Sequence, residues 1–213
     1  LGLGNTTYYS SPKQLGALTT WANVSAGQFY SAGILTNGTL WTWGRNNYGQ
    51  LGLNNTTDYS SPVQVGALTD WQKVSVNQSL SGAIKTDGTL WMWGYNSDGQ
   101  IGDGTKTNRS SPVQIGALTT WSEVQCGYTH ALALKTDGTL WAWGDNANGE
   151  LGQGSTTDYS SPVQIGALTN WSKIGAGNDS SVALTTAGTI FSWGRNHYGQ
   201  LGLGDTTNRS SPT

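Results

Sequence analysis

The sequence predicts an all-β protein made of four successive β-propeller blades, each blade a sheet of four antiparallel strands. The first observation is an internal repeat, because Ser-Ser-Pro occurs at 10–12, 60–62, 110–112, 160–162 and 210–212. The repeat is therefore 50 residues long, without insertion or deletion, which is typical of a propeller or another repeat array. The second observation is composition. The chain has 11 Trp, nine Tyr and 31 Gly, and no long apolar stripe with a helical period.

Each repeat contains a hairpin signal followed by a strand. Residues 86–94 read Thr-Asp-Gly-Thr-Leu-Trp-Met-Trp-Gly, and closely similar stretches stand one repeat before and after. Asn-Gly or Asp-Gly between alternating segments favours a two-residue type I′ turn, in which both turn residues have positive φ. In the first repeat, the strand after this turn places Trp41 and Trp43 on one face and Leu40 and Thr42 on the other.

The third repeat illustrates how four strands fit into one period. Strands are predicted at Val113–Gly116, Glu123–Cys126, Ala131–Lys135 and Thr139–Gly144, and a long polar loop then runs to Pro162. The whole chain, 1–213, is one repeat domain. Its predicted blades are 13–62, 63–112, 113–162 and 163–212, with 1–12 as the remainder of a preceding repeat.

Two columns of tryptophan are expected to hold neighbouring blades together, since each buried ring removes about 150–250 Å² from water. The first column is Trp21, Trp71, Trp121 and Trp171, and the second is Trp43, Trp93, Trp143 and Trp193.

Charge and composition exclude several classes of protein. The net charge is −2 and no basic cluster is present, so a nucleic-acid partner is not expected. No apolar run is long enough for a membrane span.

The single cysteine, Cys126, stands where other repeats have Ala26, Val76 and Ala176, which indicates a small buried residue rather than a reactive thiol. Because the first residue is Leu1, we expect an excerpt or a processed piece of a longer protein.

The repeated motif resembles the regulator of chromosome condensation repeat. The resemblance rests on Thr-Asp-Gly-Thr-Leu-Trp-x-Trp-Gly, on the Asn96–Gly102 segment and on Ser-Pro-Val-Gln, and it spans all four repeats. Kelch repeats carry paired glycines, which are absent here, and tryptophan-aspartate repeats are shorter. The resemblance implies a propeller fold. Founding members of the family are nucleotide-exchange factors that also bind chromatin, and a bacterial relative inhibits β-lactamases through one propeller face.

Nucleotide exchange and chromatin binding are not expected of this chain. In the family, exchange depends on a projecting element, for which the invariant spacing leaves no room, and the acidic balance argues against chromatin. The histidine position of the family motif is also not kept. It is occupied by Tyr30, Leu80, His130 and Ser180 in turn.

Family propellers typically have seven blades, so we predict an open segment of a larger propeller or array. A closed ring of four blades is the alternative, but residues 1–12 and 201–212 have the same phase in the repeat and would compete for one place. An uncapped terminal blade exposes its tryptophan face. We therefore expect the ends to meet further repeats of the same chain or another copy of it.

No catalytic constellation, cofactor site or metal site is predicted. His130 and His197 are the only histidines and lie in different blades, and Cys126 with His130 lacks a third partner. The segment Ile101-Gly102-Asp103-Gly104 resembles a calcium loop only loosely, because its glycines serve turns more readily.

The long loops carry the candidate recognition residues. Asn46, Asn96, Asn146 and Asn196 do not change between repeats, which indicates side chains that bond the loop backbone. Neighbouring positions vary among Tyr, Arg, Asp and Asn, a composition typical of recognition loops. Neutral variation on a solvated loop is the alternative. The candidates are Arg45, Tyr48, Tyr59, Tyr95, Asp98, Arg109, Asp145, Tyr159, Arg195, Tyr198 and Arg209.

The leading functional hypothesis is a non-enzymatic structural and recognition module on an extracellular or virion surface. It would be a phage fibre, spike or decoration protein, or a secreted repeat array, in contact with another surface protein or a glycan. The second hypothesis is a protein-binding scaffold or inhibitor within a larger protein. An enzyme centred on His130 is the third.

Overall fold

The computed structural model describes residues 1–17 and 19–213 and confirms an all-β array of four antiparallel sheets. Over these described ranges no helix forms, and hence none that could cross a membrane. The strands are β1 (Trp21–Ala26), β2 (Tyr30–Leu35), β3 (Leu40–Gly44), β4 (Tyr59–Gln64), β5 (Trp71–Asn77), β6 (Leu80–Lys85), β7 (Leu90–Gly94), β8 (Arg109–Gln114), β9 (Trp121–Cys126), β10 (His130–Lys135), β11 (Leu140–Gly144), β12 (Tyr159–Gln164), β13 (Trp171–Ala176), β14 (Ser180–Thr185) and β15 (Ile190–Gly194).

Strands that follow one another in sequence also neighbour one another in space. The first three sheets have the orders β1-β2-β3-β4, β5-β6-β7-β8 and β9-β10-β11-β12. The fourth sheet is β13-β14-β15. A fourth strand is only begun there, by the bridge between Gly194 and Arg209 and by the backbone bonds between Ser192 and Thr213.

The sheets are out of phase with the predicted blades. Val113, predicted to open the third blade, lies in β8 and pairs with Met92 of β7, so β8 closes the second sheet instead. The loop between these strands brings Arg109 back opposite Gly94, and the edge position tolerates Pro112, which has no N–H to donate. The predicted boundaries after 62, 112 and 162 therefore cut through β4, β8 and β12.

The hairpin was predicted correctly, but the prediction of a type I′ turn is wrong. Gly88 has φ +77, whereas Asp87 is not in the left-handed region. Gly88 N donates to Lys85 O at 3.0 Å and Lys85 N to Thr89 O at 3.1 Å, which defines a three-residue loop with a left-handed glycine in third place. The Asp87 carboxylate stabilises this turn by accepting from Thr89 N at 3.0 Å.

The core lies between adjacent sheets, where the tryptophan columns stand as predicted. Trp71 and Val74 of the second sheet pack on Ile34 and Leu40 of the first, and the same contact recurs at the next two interfaces. Trp93 Nε1 also donates to the Gln50 carbonyl of the preceding sheet at 2.9 Å, as Trp143 and Trp193 do at Gln100 and Glu150.

The array is open, as predicted. Val24 on the first sheet is 70% exposed, although its counterparts on later sheets are buried. Ile190 on the last sheet is 67% exposed, although Leu40, Leu90 and Leu140 are fully buried. The first and fourth sheets therefore do not cover each other.

Candidate recognition surface

Each sheet has two ends that differ in their loops. At one end lie the turns 27–29, 77–79, 127–129 and 177–179 and the long loops 45–58, 95–108, 145–158 and 195–208. This end is called the loop face. At the other end lie the hairpins after β2, β6, β10 and β14 and the segments that lead to the next sheet, such as 65–70. This end is called the hairpin face.

A buried asparagine organises each long loop. Asn96 Oδ1 accepts from Ile101 N at 2.9 Å, and its Nδ2 donates to the carbonyls of Thr105 and Thr107, both at 3.0 Å. Its own N–H donates to Asn108 Oδ1 at 2.8 Å. Asn146 makes the same set of bonds to Leu151, Ser155, Thr157 and Asp158. The loops are therefore rigid frames, because every polar group of a fully buried amide is used.

The loop face carries pairs of varied residues, one from a turn and one from the first position of the long loop. Arg45 lies over the Phe29 ring at 5.3 Å, and Arg195 Nη1 pairs with Asp179 Oδ2 at 2.8 Å. In the third sheet Thr129 Oγ1 donates to Asp145 Oδ2 at 3.2 Å. Turn and loop thus form one surface on the first, third and fourth sheets, with an aromatic and cationic, an acidic and an ion-paired character in turn.

One pair of aromatic residues connects the loop faces of the first and second sheets. The rings of Tyr48 and Tyr95, on neighbouring sheets, lie 4.7 Å apart. Tyr198, the counterpart of Tyr48 on the last sheet, is 87% exposed. Asp98 stands at the same position of the second loop, where its carboxylate accepts from Ser97 Oγ at 2.7 Å.

The four predicted candidates at the start of the outer strands are held against their own loops. Tyr59 and Tyr159 are half-buried and pack on the cores between sheets. Arg109 Nη2 pairs with Asp103 Oδ2, and Arg209 Nη2 with Asp205 Oδ2, both at 2.6 Å. Burial alone would raise the pKa of Asp103, but hydrogen bonds from Thr105 and Arg109 outweigh it and hold this pKa below its usual value. These four side chains are therefore fixed by contacts within the protein.

Sequence reasoning missed the turn residues of the loop face. Phe29 and Tyr128 are large and exposed, and Asp179 pairs with a predicted candidate. A signal was available, because the four turns read Gly-Gln-Phe, Asn-Gln-Ser, Gly-Tyr-Thr and Gly-Asn-Asp in otherwise near-identical repeats.

The hairpin face has almost the same sequence in every repeat. Its connecting segments read Gly-Ala-Leu-Thr four times. Leu68, Leu118 and Leu168 in these segments are about equally exposed, at 46%, 46% and 47%. Of the two ends of the sheets, the loop face therefore varies more between repeats than the hairpin face.

The groups considered for catalysis lie inside the array. Cys126 is buried, which raises the pKa of its thiol to about 12, and its Sγ contacts Ser75 O at 3.3 Å. His130 is fully buried, and burial lowers its pKa to about 4 despite the nearby Asp179 carboxylate. Within the chain that the structure describes, no three His, Cys, Asp or Glu side chains stand close enough together to hold a metal ion.

Comparison with known families supports the resemblance of the motif. The family model described as the regulator of chromosome condensation (RCC1) repeat matches residues 37–84, 87–134, 137–184 and 187–213. A second model of the same repeat matches 21–50 and 121–150. No curated protein matches the chain.

Three solved structures share the fold. Human WBSCR16 is 24% identical with a TM-score of 0.85, over 100% of this chain and 59% of its own. Prp20p from Saccharomyces cerevisiae, described with its binding to Gsp1p and histones, is 20% identical with a TM-score of 0.83, over 92% and 50%. Yeast RCC1 (Prp20) bound to Kap60 is 21% identical with a TM-score of 0.81, over 92% and 49%. The chain thus spans about half to three fifths of the length of these proteins.

Proposed function

Because the chain belongs to the regulator of chromosome condensation (RCC1) repeat family, we propose that it is a protein-binding module that recognises its partner through the loop face. The observation that carries the proposal is the distribution of sequence differences. The hairpin face is near-identical in the four repeats, whereas the turns and long loops differ on one common surface. Strand positions inside the array also differ, as at Tyr30, Leu80 and His130, but these side chains are buried and do not face a partner. Varied side chains on a rigid frame are the usual arrangement of a recognition surface.

The chemistry of the loop face favours a protein partner. Phe29, Tyr48, Tyr128 and Tyr198 supply exposed aromatic area, which dominates the energetics of protein interfaces. Arg45 stacks on Phe29 at the free surface, so an arginine and an aromatic ring are presented together. Relatives point the same way, since Prp20p is described with Gsp1p and histones and, in a second structure, with Kap60.

The test is affinity capture with matched surface variants. The loop-face variant carries Phe29→Ala and Tyr198→Ala, and the control carries Leu68→Ala and Leu118→Ala on the hairpin face. We expect one stoichiometric protein to be captured by the wild-type chain and by the control, and lost from the loop-face variant. Capture that survives in the loop-face variant and disappears in the control would contradict the proposal.

We further propose display on an extracellular or virion surface, with a glycan as the alternative ligand to a surface protein. The support is that only 10% of residues are charged and that loop rigidity comes from Asn and Thr hydrogen bonds. The module is proposed to act as a scaffold rather than an enzyme. Mass spectrometry of purified virions or extracellular filaments that contain the chain would support this, and a freely cytosolic pool would count against it.

A further inference from the structure

The tip of the first hairpin carries Asn37, where the second and third hairpins carry Asp87 and Asp137. Asn37 Oδ1 accepts from Thr39 N at 3.1 Å and from Thr39 Oγ1 at 2.8 Å. Asp87 Oδ1 accepts from the same two groups of Thr89, at 3.0 and 2.6 Å. Those hydrogen bonds hold the pKa of Asp87 below its usual value, so this turn favours a charged carboxylate. The first hairpin therefore already has the geometry of an aspartate hairpin.

Asn37 is followed by Gly38, and an Asn-Gly pair is the sequence in which a carboxamide most readily reacts with its own backbone. Glycine has no side chain, so its amide nitrogen approaches the Asn37 side-chain carbon Cγ without hindrance. Asn37 is exposed on the hairpin face, where water reaches it. One bond opposes the reaction, because Gly38 N donates to Leu35 O at 2.9 Å and must leave that acceptor before it attacks.

Thr39 places two hydrogen-bond donors at the oxygen on which charge develops. Attack on Cγ turns Oδ1 of Asn37 into an oxyanion, and donors already aimed at this atom bind the oxyanion more strongly than the neutral amide oxygen. Trp41 Nε1 donates to Thr39 Oγ1 at 2.9 Å, which polarises the hydroxyl and leaves its proton directed at Asn37. The hairpin thus stabilises the intermediate of an attack by its own backbone.

We propose that Asn37 is a self-modifying site, at which the hairpin converts asparagine to aspartate with Thr39 as the oxyanion donor. The Gly38 nitrogen loses its proton to solvent and attacks Asn37 Cγ. The bond from Cγ to Nδ2 then breaks, and Nδ2 takes up a proton and leaves as ammonia. Water opens the resulting succinimide at Cγ, which restores the Gly38 amide and leaves a carboxylate. Asparagine and water become aspartate and ammonia, without oxidation or reduction, on the hairpin face and apart from the proposed recognition surface.

The packing of Gly38 selects aspartate over isoaspartate. Opening of the succinimide at the backbone carbonyl gives isoaspartate, in which an extra methylene enters the backbone before Gly38. Gly38 O accepts from Trp71 N at 3.1 Å, and a Cβ added to Gly38 would collide with the Thr69 carbonyl. An inserted methylene therefore disrupts a tight contact that aspartate keeps.

The second Asn-Gly pair of the chain, Asn148-Gly149, is held differently. Asn148 Oδ1 accepts from Asn208 Nδ2 at 3.3 Å, a longer bond than either of those from Thr39. Asn148 Nδ2 donates to Glu150 Oε1 at 2.7 Å, and Asn148 N donates to Glu150 Oε2 at 2.8 Å. The carboxylate retains the leaving group and disfavours further negative charge beside it. Asn148 is therefore the slower site and serves as the comparison within one sample.

The test is peptide mapping by mass spectrometry of the folded 213-residue chain, kept at pH 8 in water enriched in oxygen-18. We expect Asn37 to convert faster than Asn148, by on the order of tenfold. The product should contain one heavy oxygen, as opening of a succinimide by water requires, and fragmentation should identify it as aspartate. Conversion of Asn37 no faster than that of Asn148, or isoaspartate as the main product, would overturn the proposal.

Three variants isolate the role of the Thr39 hydroxyl. Thr39→Val removes one donor and keeps the shape of the side chain, so conversion of Asn37 should slow by about twofold to tenfold. Thr39→Ser keeps the hydroxyl and should convert close to the wild-type rate. Thr89→Val is the matched control, because it removes the same hydroxyl one repeat later and should leave the rate at Asn37 unchanged. Equal rates in Thr39→Val and wild type, or faster conversion in Thr39→Val, would show that the hairpin does not promote the reaction.

Discussion

The imidazole Nε2 of His130 lies 3.0 Å from Ser181 Oγ on the next sheet. Ser181 Oγ donates to the Glu150 carbonyl at 2.8 Å, so Nε2 carries the ring proton and donates to the serine. Two repeats earlier, Tyr30 and Ser81 form the matching pair at 2.8 Å. The interface between them is apolar instead, with Leu80 and Ala131 in one core cluster. Polar pairs and an apolar pair therefore alternate along the array.

This alternation predicts strong coupling between His130 and Ser181. Ser181→Ala leaves the buried imidazole N–H without an acceptor, and we expect a loss of about 1–3 kcal/mol in the free energy of unfolding. His130→Leu with Ser181→Ala reproduces the Leu80 and Ala131 arrangement, so the double variant should be less destabilised than the sum of the single ones by about 0.5–1.5 kcal/mol. Denaturant midpoints of all four proteins measure the coupling. Strictly additive losses would show that the contact contributes nothing.

Burial of His130 also predicts a dependence of stability on pH. Its folded pKa of about 4 lies below the ordinary value of 6.5, so the unfolded chain binds the proton more readily. Stability is fully present above pH 6.5 and is lost as pH falls towards 4, by about 3 kcal/mol at most. Thermal unfolding of wild type and His130→Leu between pH 4 and pH 8 isolates this contribution. Parallel curves for the two proteins would contradict the assignment.

The buried Glu150 predicts that stability also depends on pH, with the opposite sign. It is 1% exposed and stands where other repeats have glutamine. Burial raises its pKa, although bonds from Asn148 partly offset that effect. The contribution of Glu150 to the free energy of unfolding is therefore present below pH 4.5 and is lost as pH rises through its pKa in the folded protein. We expect Glu150→Gln to raise the melting temperature at pH 7 and to leave it unchanged near pH 4. A gain of equal size at both pH values would point to packing and not to ionisation.

The hydrogen bonds of the long loops predict that replacing Asn by Asp destabilises the protein at one position and has little effect at another. Asn96→Asp removes the donors to the Thr105 and Thr107 carbonyls and places a buried charge beside them, so we expect a loss of about 2 kcal/mol or more. Asn108→Asp should be nearly neutral, because Asp58 accepts from Asn46 N in the first loop as Asn108 does from Asn96 N. Chemical denaturation compares the two. Similar losses at both sites would refute this account of the loop.

The 50-residue period was enough to predict the sheets, the tryptophan interfaces and the open array. Strand phase could not be predicted from it, because a repeat can be cut at any residue. The pairing of β8 with β7, at Val113 with Met92 and at Arg109 with Gly94, shows that β8 closes the preceding sheet. The turn type was also missed. Asp87 supports a three-residue loop through its bond to Thr89, and Asn-Gly or Asp-Gly spacing alone does not distinguish this loop from a two-residue one.

The part of the candidate surface that lies on the long loops could be predicted from the sequence differences between repeats. Arg45, Tyr48, Tyr95, Arg195 and Tyr198 lie on the loop face, where Tyr48 and Tyr95 contact each other, and their role in recognition stays a prediction. Phe29 and Asp179 were not singled out, because they meet Arg45 and Arg195 of the long loops only through folding of the sheet. The half-buried packing of Tyr59 and Tyr159 depends on the neighbouring sheet, so it could not be read from local sequence.

The most direct test of the account is hydrogen exchange of the chain with and without its captured protein partner. We predict slower exchange in the turns 27–29 and 127–129 and in the loops 45–58 and 195–208, with the hairpins and the segments 65–70 and 115–120 unchanged. Protection confined to the hairpin face, with the loop face unaffected, would contradict the claim that this propeller segment recognises its partner through the varied loops.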